Sequence, residues 1–225
     1  IEITLKYILF RAMHPELLAR AISAVSSETT AELFRIRARI VNELVAERVL
    51  DFLSNNGIGT ASGSKILFSK EDRLKIAILA LKMGCDIEQI SIQLDWKDFE
   101  ALTSKILRLS GYKTTVHVFF SKPRMEIDVV GTNSKFAIAV DCKHWKNSSL
   151  STLSSYVKKQ IERTKILLAK ESNISSAIPM ILTLHYNKVR FIEGTPVVPI
   201  TEFNSFLNGL EDNISGVYVL YSKNR

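Results

Sequence analysis

The chain has 225 residues, 46% of them hydrophobic and 24% charged, which is enough apolar material for a real core and excludes a low-complexity polymer. No apolar run reaches the roughly 18–20 residues a membrane helix needs, and Lys6, Arg11, Glu16 and Arg20 break the opening apolar stretch, so it reads as amphipathic helix instead of signal peptide and a cytoplasmic protein is expected. A net charge of +7 favours a polyanionic partner, while two cysteines, Cys85 and Cys142, are too few for a disulfide framework and match no zinc or redox spacing.

In chain order, residues 31–53 carry apolar positions at helical spacing (Leu33, Ile36, Ile40, Leu44, Val49, Leu53), with Gly57 beyond the end, and predict one long core helix. The next stretch, NNGIGTASGSKILF, gathers Gly and Ser before a strand-like piece at 66–68 and predicts a turn or small wing. Ser69 stands three residues before Asp72, a capping arrangement that opens a helix to Lys82, stopped by Gly84. Helices are expected at 87–94 and at 96–109, the latter ending at Gly111. Together these predict an all-helical or winged-helix domain over 1–94, serving DNA positioning or dimerisation.

After Gly111 the pattern turns to strands. Residues 113–120, 125–131 and 136–141 are rich in β-branched and aromatic side chains, and the turn-forming residues 132–135 join the last two into a hairpin. A helix at 153–170, a buried-type strand at 178–186, short strands at 191–192 and 197–200, a helix at 202–210 and a strand at 217–221 complete an α/β (α+β) domain over 95–225, with a mixed sheet flanked by helices. Up to Gly111 there are 15 basic and 14 acidic residues, and beyond it 15 and 9, so the positive excess sits in the second part.

Side chains alternate across a strand, so Asp141 and Lys143 share one face of theirs, and Glu126 and Asp128 one face of theirs. With residues 132–135 as a four-residue loop, Gly131 pairs with Phe136, Glu126 falls opposite Asp141, and Asp128 lies one diagonal step away. Ile127, Val129, Ile138, Val140 and Cys142 then form an apolar opposite face, suited to a helix. Converging carboxylates are costly to ionise together, and a divalent cation with oxygen ligands, Mg²⁺ or Mn²⁺, relieves that cost. The Lys143 ammonium on the same face is placed to assist a nucleophilic water or a phosphate.

The run MEIDVVGTNSKFAIAVDCKHW resembles the active-site hairpin of the PD-(D/E)xK nuclease superfamily, in its Mrr-like, RecB-like and Holliday-junction-resolvase-like branch. The resemblance implies a restriction-endonuclease-like fold. It makes Asp128 the first acid, Asp141 the second and Lys143 the lysine. It gives Glu100, in WKDFEALTSKILRLSGY, a place in the metal site, and Gln160, in KKQIERTK, the role of the supporting glutamine on the following helix. Metal ligands would be Asp128, Asp141, Glu100 and the backbone carbonyl of Cys142. Ile127 stands where the superfamily name has Pro, and Thr164 where RecB-like members often have Tyr, which favours the Mrr-like branch.

The resemblance implies a Mg²⁺-dependent deoxyribonuclease acting on DNA as an endonuclease, and a homodimer is expected because enzymes that cut both strands are commonly symmetric dimers. Lys122, Arg124, His144, Lys146, Lys159 and Arg163 flank the hairpin and helix as candidate phosphate contacts. His14, His117, His144 and His185 have no metal-ligand spacing and are expected to be structural or exposed. The rival readings are a nuclease-like module that grips DNA or a protein without cutting, and a winged-helix regulator, which would need a basic recognition helix.

Overall fold

The predicted helix over 31–53 is two helices. In a computed structural model that describes residues 13–69, 71–143, 149–185 and 188–222, helix α1 (Pro15–Ala24) is followed by strand β1 (Glu28–Thr30), α2 (Ala31–Arg37) and α3 (Glu43–Asn55). Two local devices break the run. The Ile40 amide reaches back to the Arg35 carbonyl and the Arg39 amide to that of Ile36, the two bonds of a Schellman stop, with Arg39 at φ 54° in the glycine-favouring conformation. Asn42 then caps α3 by accepting the Val45 amide. The apolar stripe divides accordingly: Ile40, Val49 and Leu53 are buried, whereas Leu33, Ile36 and Leu44 face solvent.

Of the two expectations for the N-terminal region, the all-helical one gives way, and the strand-like piece expected at 66–68 is part of a small sheet. Strands β2 (Thr60–Ser62) and β3 (Lys65–Leu67) form an antiparallel hairpin, and β1 pairs with β3 to complete a sheet of order β1-β3-β2. Helix, strand, two helices and a hairpin in this order are a winged-helix arrangement. Helix α4 (Asp72–Lys82) follows, anchored by Asp72, whose carboxylate accepts the Ser69 amide at 2.8 Å and the Gly59 amide at 3.3 Å. It ends at Gly84, φ 86°, with the same two backward bonds that Arg39 makes without glycine. Helix α5 (Ile87–Gln93) and helix α6 (Trp96–Leu109) fall where they were expected.

By internal contacts the chain divides into two units, Ile1–Asp98 and Phe99–Arg225. In the second, strands β4 (Lys113–Ser121), β5 (Arg124–Thr132) and β6 (Ala137–Lys143) run antiparallel in sequence. Helix α7 (Leu150–Lys170) then carries the chain over the sheet so that β7 (Ser176–Thr183) lies parallel to β6, the crossover that parallel strands require. Strand β9 (Thr195–Pro199) is parallel to β7 on its other side, β8 (Phe191–Ile192) pairs with β9, and helix α8 (Ile200–Leu210) precedes the short β10 (Leu220–Tyr221) at the start of β7. This is the mixed, helix-flanked sheet expected, in the order β4-β5-β6-β7-β9-β8.

Strand β7 is buried along its whole length, as a central parallel strand must be. On one face Leu167 and Leu168 of α7 join Val130, Ala137, Ala139 and Ala177 in a core cluster. On the other, Gly131 admits α6 closely: a Cβ there would stand 3.2 Å from both Leu107 methyls. The sheet is thus held between α6 and α7, the two helices that carry Glu100 and Gln160.

Candidate active site

The β5–β6 pairing stands two residues from the predicted register. Thr132 pairs with Ala137 and Val129 with Val140, so the loop is 133–136, and the same count brings Asp128, not Glu126, opposite Asp141. Asn133 sets this turn: its Oδ1 accepts the amides of Lys135 and Phe136, and its own amide donates to the Phe136 carbonyl. A slip of two keeps face parity along the paired part of the hairpin.

Regular pairing of β5 with β6 stops at Val129 and Val140. Beyond that point Asp128 Oδ2 accepts the Cys142 amide at 2.7 Å, so a side chain takes the place of a ladder partner. Strict alternation fails here as well: Ile127, expected on the face of Val129, joins the cluster that holds Val130 and Ala139. The strands part around Asp128, and the opening is where the charged groups collect.

Asp141 is buried and ion-paired twice. Lys143 Nζ lies 2.7 Å from its Oδ2 and Arg163 of α7 donates to its Oδ1 at 2.7 Å. Lys143 also sits over the Tyr156 ring, 4.6 Å from its centre. Gln160, wholly buried, donates to the Ala139 carbonyl at 2.8 Å, while its Oε1 receives Arg163 at 3.4 Å. The glutamine therefore locks α7 onto β6 and steadies the arginine that grips Asp141.

Glu100 enters from α6. Its carboxylate is buried, Oε2 accepts no hydrogen bond among the described residues, and His117 Nε2 stands 3.6 Å from it. His117, on β4 at φ 52°, reaches Glu126 Oε1 through Nδ1 at 2.9 Å and so bridges two acids. Sequence reasoning set this histidine aside. The two-residue turn Lys122–Pro123 was the available signal, because Ser121 pairs with Arg124 and the count from there puts His117 across from Asp128.

The acids oppose one another's ionisation. Burial first, then the Asp128 charge, pushes the Glu100 carboxyl up to about 7. Burial and then Asp141 push Asp128 up to about 6, against the downward pull of the Cys142 amide. Burial also drives the Cys142 thiol well above its ordinary range, and its Sγ rests 3.6 Å from the Thr103 hydroxyl, so it is an inert packing group.

This donor set suits a hard divalent cation: oxygen ligands, excess negative charge and a buried carboxylate oxygen with no hydrogen bond. As the side chains stand, no three Asp, Glu, His or Cys among the described residues are close enough to hold one ion. Asp141 faces its two cations instead.

Of the candidate phosphate contacts, Lys122 and Arg124 are exposed at the β4–β5 tip and Lys159 is exposed on α7. Arg163 is turned inward to Asp141. His144 and Lys146 lie outside the described residues. No helix among the described residues is long and apolar enough to cross a membrane.

Residues 92–171 match the model of the Mrr_cat family, described as restriction endonuclease, in keeping with the resemblance drawn from the hairpin. An uncharacterised protein of Archaeoglobus fulgidus is 27% identical over 122 residues, 51% of this chain and 91% of that protein. The crystal structure of protein VC1899 from Vibrio cholerae superposes with a TM-score of 0.44 at 14% identity, over 90% of this chain and 51% of that one, so the chain spans about half its length.

Proposed function

We propose, from a segment at 92–171 that matches the restriction-endonuclease family, that this chain is a Mg²⁺-dependent DNA endonuclease whose chemistry lies in the region 95–225. The supporting observation is that Glu100 and Asp141, both buried, gather with the part-buried Asp128 and Lys143 where β5 and β6 part. Asp128, Asp141, Glu100 and the Cys142 carbonyl would hold the ion, which supplies charge for the phosphate and acidifies bound water. Lys143 brings an ammonium beside Asp141, available to a phosphate oxygen or an entering water once the carboxylate is engaged elsewhere. Gln160 and Arg163 fix where Asp141 points. Exposed Lys122, Arg124 and Lys159 suit the DNA backbone. The region 1–94 would position DNA or pair two copies.

The test is cleavage of duplex, single-stranded and branched DNA with Mg²⁺ and with chelator, comparing the parent with Asp128→Asn and Lys143→Ala. Metal-dependent cutting by the parent, lost in both variants, is expected. Cutting that both variants retain would sink the assignment. One observation favours a second reading, a DNA-gripping module that does not cut: both oxygens of Asp141 are already engaged by cations. A parent that binds DNA yet cuts none of these substrates would establish that reading.

A further inference from the structure

The winged-helix arrangement of the first unit places α3 where such folds present a helix to the DNA groove, but its solvent side is wrong for phosphate. Glu43, Glu47 and Asp51 are exposed there against the single basic Arg48. Beside them lies an apolar patch. Val41 is 91% exposed, Leu44 64%, Ile36 57% and Leu33 45%, gathered from two consecutive helices and the turn between them. Four large aliphatic side chains left in water at one helix–turn–helix exceed the scattered exposure of an ordinary surface.

The charges around the patch divide by helix. On the α2 side and in the turn stand Arg37 and Arg39 with Glu32, and on the α3 side Glu43 and Glu47 with Arg48, all exposed, so the excess is basic on the first and acidic on the second. A surface with an apolar centre, one flank of net positive and one of net negative charge is complementary to itself under a two-fold rotation, which lays each basic excess on the other's acidic one. We propose that this patch is a homodimer interface, in which the α2–turn–α3 segments of two copies of this chain pack about a two-fold axis. Helix α3 then serves self-association, not groove reading. The inference stands apart from the nuclease assignment, since it uses no residue of the second unit.

The test is molecular mass in solution by light scattering and sedimentation. The wild-type chain is expected at twice its 25.4 kDa chain mass, with Ile36→Glu/Val41→Glu weakening association roughly tenfold or more. Because either substitution could affect folding, charge exchange supplies an independent arm. Arg37→Glu/Arg39→Glu and Glu43→Arg/Glu47→Arg should each be monomeric alone and form a heterodimer when mixed. A wild-type monomer at every concentration overturns the proposal, as does a dimer that survives both charge-reversed variants. So do apolar or charge variants that change duplex DNA affinity while leaving mass unchanged, which would return α3 to the groove.

Discussion

Two regions of this molecule break the ordinary rule of burial in opposite directions. Around Asp128 the second unit takes charges inside, while at Val41 the first unit leaves aliphatic side chains outside. The first departure costs desolvation and repulsion, the second forgoes burial, and neither is what stability alone would select. Such conflicts between local chemistry and fold are where function is to be sought. They differ in how they are compensated: the acids are partly neutralised within the chain by Lys143 and Arg163, whereas the aliphatic side chains of Val41, Leu44, Ile36 and Leu33 stay exposed among the described residues.

The comparison breaks most sharply at Asp141. Replacing it with Ala removes the shared partner of two cations, and we expect cleavage to fall below detection and stability to drop by about 3 kcal/mol in urea unfolding. Retention of parental stability would mean that the two ion pairs contribute nothing net. Next in size is cation binding. Saturating Mg²⁺ or Mn²⁺, at about a hundred times its dissociation constant, should stabilise the wild type by about 2.7 kcal/mol, and Asp128→Asn should abolish the rise seen by calorimetry. An equal rise in the variant would place the ion elsewhere.

Asp72 gives a smaller effect that turns on pH. Burial pulls its carboxyl upward, but the Lys75 ammonium and the Ser69 amide outweigh it and hold the carboxyl below its ordinary 3.8. A lowered folded value means stability that is complete above 3.8 and lost as pH falls through the lower folded value. Asp72→Asn should therefore cost about 1–2 kcal/mol at neutral pH and nearly nothing at the acid end. A cost independent of pH would assign the effect to packing. The smallest expected change is Val41→Ser, within about 0.5 kcal/mol of wild-type folding stability measured on dilute protein. A larger loss would mean that this side chain already packs within its own chain.

Much of the second unit was legible because its strands are long and its β5–β6 hairpin carries a motif with strong spacing. The order of elements followed from period alone, whereas the register of the hairpin was read two residues off. Local side-chain chemistry was harder to read. Nothing in the composition of 38–42 announces a helix stop when Arg39 takes a glycine's conformation. Strands of three residues, such as Thr60–Ser62, are too short to display alternation. Glu126 was placed opposite Asp141 because Asn133's hold on the turn was not counted. Arg163 and His117 escaped assignment to the acids because each reaches them from a different element, a distance in the chain that spacing arguments do not span.

The parting of β5 from β6 leaves the Cys142 amide dependent on a carboxylate for its only shelter in that direction. Backbone amides within a ladder exchange with solvent when strands separate, whereas this one would lose its acceptor if Asp128 turned to a cation. On the proposed function, its deuterium uptake is expected to rise when Mg²⁺ is added, a readout that needs no DNA substrate.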